Sequence, residues 1–308
     1  MRGRYKPNPY RNRLTQPPYS DYLETLRQRN YSTQTIDFVS QIFQKLAEFV
    51  ETEKKNLRDL TADDIYRFKD WMEQRDNYSE ATLYQYIMRL RIFFQWLMQT
   101  GQIFLNPYAQ VALPKPATLL PKSPTEGDIR NLLAQPDISG RQGIRDRALL
   151  ELAYSTAARR GELCRLSVTD IDLEKRIVRL YGKGRKERLV PLGKKAVVWL
   201  KHYLRCARPQ LLRGRLTDRL WLGARCGKPL DVDAISAIFR LYAHKAGMKP
   251  VSPHAVRRAC ATHLMRNGAS PVQIQTLLGH AKLSTLKHYV RLTIHDLHKT
   301  HARSKPGR

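Results

Sequence analysis

The sequence predicts a mainly helical chain with one small β-sheet, divided into two domains. Three observations lead there. Apolar residues recur at three- and four-residue steps through the first hundred positions, two β-favouring runs flank a short Gly- and Lys-rich segment at residues 182–186, and prolines crowd the stretch between these regions.

Residues 1–18 are basic and proline-rich and read as a flexible N-terminus. From 19 to 111 the pattern is helical throughout. Ile36, Val39, Phe43, Leu46 and Val50 form one buried face, and Leu83, Ile87, Leu90, Phe94 and Leu97 another. Ser32, Thr61 and Ser79 stand at N-cap positions, and Gly101 and Pro107 act as stop signals. Four or five short helices are expected. Residues 112–124, ALPKPATLLPKSP, hold four prolines in thirteen positions, which blocks helix and sheet alike and marks a linker.

The second domain, 125–303, mixes types. Helical spacing covers 125–135, 143–155, 231–246, 253–267, 271–278 and 284–292, and RIVRLY (176–181) with ERLVPL (187–192) predicts a β-hairpin. Residues 220–222 suggest a third strand, and 304–308 form a tail.

Of the 308 residues, 55 are Lys or Arg and 27 are Asp or Glu, a formal net charge of +28. The excess is lopsided: residues 1–113 carry a net +3 and residues 114–308 a net +25. A folded chain so basic calls for a polyanionic partner, most simply nucleic acid. No apolar run approaches membrane-span length, and the amino terminus lacks a signal-peptide core, so secreted and membrane readings are poor and a cytoplasmic protein is expected. Cys164, Cys206, Cys226 and Cys260 are too widely spaced for a local zinc pattern.

Several segments hold residues suited to phosphate chemistry. In TAARRGEL (156–163) an arginine at a helix junction can clamp a phosphate, with Glu162 orienting it, although an exposed Arg pair on a basic surface explains the octapeptide as well. In GKGRKER (182–188), Lys183 sits between glycines at the hairpin tip, where it can supply a proton or simply bind DNA. HxxR occurs four times. Only His254 with Arg257 follows a helix start, Ser252-Pro253, that places both on one side of a new helix. In LLGHAKLSTLKHYVRL (277–292), His280 follows a helix end at Gly279 and Tyr289 lies nine residues on; taken singly these are a capping histidine and a packing tyrosine.

Together, Arg159, Lys183, His254, Arg257, His280 and Tyr289, in this order and in these motifs, resemble the tyrosine recombinase (phage integrase) family, with a layout like that of Xer recombinases and similar mobile-element integrases. The likeness runs from about Tyr19 to Arg303. It implies two domains clamping duplex DNA: a helical, SAM-like core-binding domain and a mixed α/β catalytic domain. It also implies site-specific recombination through a 3′-phosphotyrosyl intermediate and a Holliday junction, without metal, ATP or other cofactor.

The resemblance makes Tyr289 the nucleophile, Arg159 and Arg257 the phosphate-neutralising pair, Lys183 the donor to the departing 5′ oxygen, His254 an aid to proton transfer and His280 a phosphate hydrogen-bonder. Glu162 is given a supporting role at most. The chemistry suits these types, because a phenol with a pKa of about 10 is a poor nucleophile until positioned, and guanidinium stays charged throughout.

The family's working form is a tetramer on two DNA sites, here a homotetramer or one shared with a paralogous recombinase. Residues 293–303 resemble the segment that docks into a neighbouring subunit. With eighteen residues ahead of the first helix, no arm-binding domain is expected. Ala157 stands where the family commonly has Gly, and Arg258 where it commonly has a second His. Two other classes fit the same sequence: a silent DNA-binding or architectural protein of this fold, and a relaxing enzyme of the type IB topoisomerase kind.

Overall fold

A computed structural model describes residues 13–76, 78–109, 111–112, 123–182 and 187–279. Contacts group the chain into two compact units, Met1–Leu119 and Leu120–Arg308. Residues 113–122 of the linker predicted at 112–124, the hairpin tip at 183–186 and the predicted helix at 284–292 lie outside the described residues.

The first unit holds four α-helices among its described residues: α1 (Tyr19–Gln28), α2 (Thr33–Thr52), α3 (Ala62–Asp76) and α4 (Glu80–Gln99). Two of them, α2 and α4, run to 20 residues, longer than the short helices expected. Ser32 and Ser79 cap them by accepting the backbone N–H groups of Thr35 and Thr82. The apolar faces read from the sequence meet in an aromatic centre in which Phe43 and Phe93 lie 4.5 Å apart between centroids, with Tyr19 and Tyr22 against both. Asp64, fully buried, lies in the first turn of α3. Burial opposes its charge, but Lys55 at 2.7 Å, the N–H and hydroxyl of Thr61, and Arg67 overcome that and hold its carboxyl well below the usual range.

In the second unit α5 (Glu126–Ala134) begins with a capping box between Thr125 and Asp128. Next, α6 (Arg141–Thr156) is buried on almost every side and forms the axis of the core, where Leu149, Leu150 and Leu152 are at most 1 % exposed. Its buried Arg145–Asp146 pair is satisfied by the Leu222 carbonyl at 2.7 Å and the Tyr242 hydroxyl at 2.9 Å.

The sheet follows α7 (Arg160–Arg165). Strands β1 (Ile171–Asp172), β2 (Ile177–Tyr181) and β3 (Glu187–Pro191) are antiparallel in the order β1-β2-β3. The third strand is therefore 171–172, not 220–222. Leu220 and Leu222 instead form backbone contacts with Leu166 and Pro229 outside the sheet, because their carbonyls are already engaged by the Tyr203 hydroxyl and the Arg145 guanidinium. Residues 194–212, unassigned from sequence, form α8 (Lys194–His202), a π turn (Tyr203–Ala207) and α9 (Arg208–Leu212), where Pro209 is tolerated in the first turn. Three helices complete the unit: α10 (Val232–Lys245), α11 (Pro253–Arg266) and α12 (Pro271–Leu278). No helix among the described residues is long and apolar enough to cross a membrane.

Candidate active site

The site grows from the junction between α6 and α7. Helix α6 ends at Thr156, and Ala157 turns the chain with φ +50°, a left-handed conformation that costs a non-glycine residue about 1 kcal/mol. Arg159 then adopts an extended backbone ahead of α7, and Glu162 folds back to accept its N–H at 2.7 Å, the reciprocal half of a capping box. The same carboxylate accepts the Arg159 guanidinium at 2.8 Å. Arg159 thus stands braced at both ends, with 41 % of its side chain exposed.

Ser252 caps α11 by accepting the Ala255 N–H, and Pro253 sets the first turn. His254 is exposed in that turn. One turn on, Arg257 is 1 % exposed and donates to the Ala157 carbonyl at 2.6 Å and to the Leu278 carbonyl at 2.7 Å. The two α11 residues therefore divide between solvent and interior.

The C-terminus of α12 is where these elements converge. Its last carbonyls have no helical partner, and the helix dipole favours cations there. Three consecutive ones each accept from a different arginine: Leu277 from Arg188 Nε at 3.0 Å, Leu278 from Arg257, and Gly279 from Arg159 Nη2 at 3.4 Å. Gly279, with φ +60°, ends the helix as its sequence suggests.

Burial would raise the Glu162 carboxyl, but hydrogen bonds and charge from Arg188, joined by Arg159, hold its pKa down to about 2. It is an anion at neutral pH. Although its side chain reaches solvent, partial desolvation of the ring lowers the pKa of His254, and the positive charges of Arg258, Arg257 and Arg159 lower it further, so the imidazole is mostly neutral at pH 7 and can accept a proton. Arg159, Arg160, Arg240, Ser252 and His254 line a cleft of about 570 Å³, where three guanidiniums favour an anion.

The structure thus brings Arg159, His254 and Arg257 together. Lys183, His280 and Tyr289 lie outside the described residues. Glu162 does more than the sequence reading allowed, since a 3 %-exposed carboxylate here pairs two arginines. Arg188 was missed. Its signal lay in the strand alternation: Arg188 pairs with buried Leu180 and sits two residues from buried Val190, so it occupies an inward position where ERLVPL ought to place an apolar side chain. An inward arginine needs a buried acid, and Glu162 is that acid.

His263 is a packing residue, 3 % exposed and 3.0 Å from the Tyr154 hydroxyl. Burial pushes the Cys260 thiol up to about 12, and Cys260 packs with Ala157, Ala261, Ile274 and Leu278 as an inert small side chain.

Residues 123–295 match the model of the phage integrase family, and residues 18–113 match that of the phage integrase SAM-like domain. The chain belongs to the phage integrase family. Among its phage integrase relatives, the tyrosine recombinase XerD of Pseudomonas putida is 39 % identical over 230 residues, covering 74 % of this chain and 77 % of that protein. XerD of Pseudomonas aeruginosa is 35 % identical over 271 residues, covering 80 % and 91 %. The fold matches the XerH site-specific recombinase bound to a palindromic difH substrate in a post-cleavage complex, with TM-score 0.75, 22 % identity and coverage of 94 % and 86 %. This phage integrase member is a tyrosine site-specific recombinase of the Xer kind.

Proposed function

We propose that the chain cuts and rejoins double-stranded DNA through Tyr289. The phenolic oxygen attacks a backbone phosphorus, the bond from phosphorus to the 5′ oxygen breaks, and a 3′-phosphotyrosyl link forms. Lys183 gives a proton to the leaving 5′ oxygen, His254 assists proton transfer at the phosphate, and His280 donates a hydrogen bond to a non-bridging oxygen. Arg159 and Arg257 offset the charge that builds on those oxygens. The link conserves the energy of the broken bond, so attack by a 5′ hydroxyl reverses the step without ATP. Two rounds of exchange on paired sites pass through a Holliday junction.

The observation that carries this reading is the convergence of Arg159, from the α6–α7 junction, and Arg257, from α11, on consecutive carbonyls immediately before His280 in the chain. Two fixed cations beside a neutral His254 suit a phosphodiester better than a surface that merely holds DNA. The XerH relative was captured with its substrate after cleavage, which supports DNA as the partner. The working form in this reading is a tetramer on two sites, alone or with a paralogous recombinase, acting in the cytoplasm at the nucleoid. Residues 293–303 dock into the neighbouring subunit. Deleting them spares single-site binding and impairs paired cleavage.

The test uses a nicked duplex carrying the site that the full chain itself selects from a random-sequence pool. A covalent adduct that disappears in Tyr289→Phe is the expected result. No adduct on any selected site would leave a silent DNA binder, and relaxation of supercoils without joining of two sites would indicate a topoisomerase.

A further inference from the structure

Arg188 lies on β3, five residues after Lys183 in the chain, and its side chain is 13 % exposed. It donates Nη1 and Nη2 to the two Glu162 oxygens at 2.7 and 2.8 Å and Nε to the Leu277 carbonyl at 3.0 Å. Those same two oxygens receive the guanidinium and backbone N–H of Arg159, so the carboxylate is fully occupied by two arginines. The Arg188 side chain also crosses Gly279 closely: a Cβ built there would come within 2.9 Å of its Cδ and 3.2 Å of its Nε.

Resting on the function proposed above, we infer that Arg188 is a positioning residue for Arg159. The reason is charge as well as geometry. One carboxylate between two guanidiniums leaves a net positive charge, so Arg159 keeps an uncompensated cation for the phosphate. Without Arg188, the buried Glu162 anion would be neutralised by Arg159 alone, and the pair would offer an anionic phosphate no net attraction. Arg188 also spans from Glu162 to the Leu277 carbonyl, which ties the end of α12 to the start of α7. Lysine keeps the charge but lacks the fork that serves three acceptors at once.

The experiment measures single-turnover adduct formation by the full chain on the self-selected nicked duplex, with duplex affinity read separately. Arg188→Gln is expected to slow adduct formation about 10- to 100-fold, as loss of a hydrogen bond to a charged group does, with affinity changed less than about threefold. Arg188→Lys is expected to remain folded and to be about 10-fold slow, since it keeps the charge and loses the fork.

The decisive arm is the double variant Arg188→Gln/Glu162→Gln, in which no carboxylate is left to draw on Arg159. It is expected to react at least about threefold faster than Arg188→Gln, a coupling usual for contacting charged groups. A purely structural role predicts the opposite order, since the second change removes more hydrogen bonds. Wild-type rates in Arg188→Lys, or a double variant no faster than Arg188→Gln, would overturn the inference while the wild-type adduct stands. If the wild type forms no adduct, the proposed function itself fails and takes this inference with it.

Discussion

Arg257 donates to the carbonyl of Ala157 across 2.6 Å, although one hundred positions separate the two residues in the chain. That bond, with the one to Leu278, ties α11 to the turn that presents Arg159 and to the end of α12. A residue assigned to phosphate binding is thus also a fastener of three elements.

Arg257→Lys is expected to lose both adduct formation and stability, because one ammonium on a flexible stem cannot reach two carbonyls in fixed directions. A buried carbonyl left unpaired costs about 1–3 kcal/mol. Urea unfolding should show a loss of that size, and a stable but inactive variant would show that the fastening contributes nothing.

Ala157→Gly is expected to be nearly neutral. Glycine relieves the left-handed strain of φ +50°, worth about 1 kcal/mol, but gives up a fully buried methyl worth about 0.8 kcal/mol. The check is a thermal midpoint within a few degrees of wild type.

Glu162→Gln is expected to destabilise the second unit by about 3–5 kcal/mol, the cost of breaking a buried ion pair. The wild type carries a matching acid dependence. With a folded pKa of about 2 against an ordinary value of 4.5, Glu162 stabilises the fold fully above pH 4.5 and loses that contribution as pH falls toward 2. Unfolding measured between pH 6 and 3 should decline more in the wild type than in Glu162→Gln; parallel curves would contradict the assignment.

His254 sets a second pH dependence. Burial and three neighbouring guanidiniums lower its pKa, so the neutral form required for accepting a proton persists below pH 6.5. The acid limb of adduct formation should have its midpoint below pH 6.5 and should be absent in His254→Gln. A midpoint above 6.5 would contradict this.

Binding to duplex DNA should weaken steeply with salt, because the net charge of +28 displaces counterions wherever lysine and arginine meet phosphates. Between 50 and 200 mM salt the affinity is expected to fall about 1,000-fold, as for some six phosphate contacts. Fluorescence anisotropy over that range measures the slope. Arg240→Gln should flatten the slope by about one contact.

What the sequence determined alone was much of what depends on neighbours within a turn or a strand pair, the helices at 194–212 and the strand at 171–172 excepted. The helix faces of α2 and α4, the caps at Ser32, Ser79 and Ser252, the hairpin, the stop at Gly279 and the basic bias of the second unit were all legible, because backbone hydrogen bonding and side-chain period act over two to four residues. Arg159, His254 and Arg257 were legible only through the resemblance of the ordered motifs to a known family, since each motif taken singly also fits an ordinary surface or packing role. Only the tertiary structure decided that Arg188 and Arg159 share Glu162, that three arginines end α12, and that the third strand is 171–172 instead of 220–222. The contacts of Arg188 and Arg257 turn on buried charges and backbone groups finding partners tens of residues away, and the choice of strand on which backbone groups the core has already engaged. No local period encodes such pairing, since it is selected by what is left unsatisfied once the core has closed.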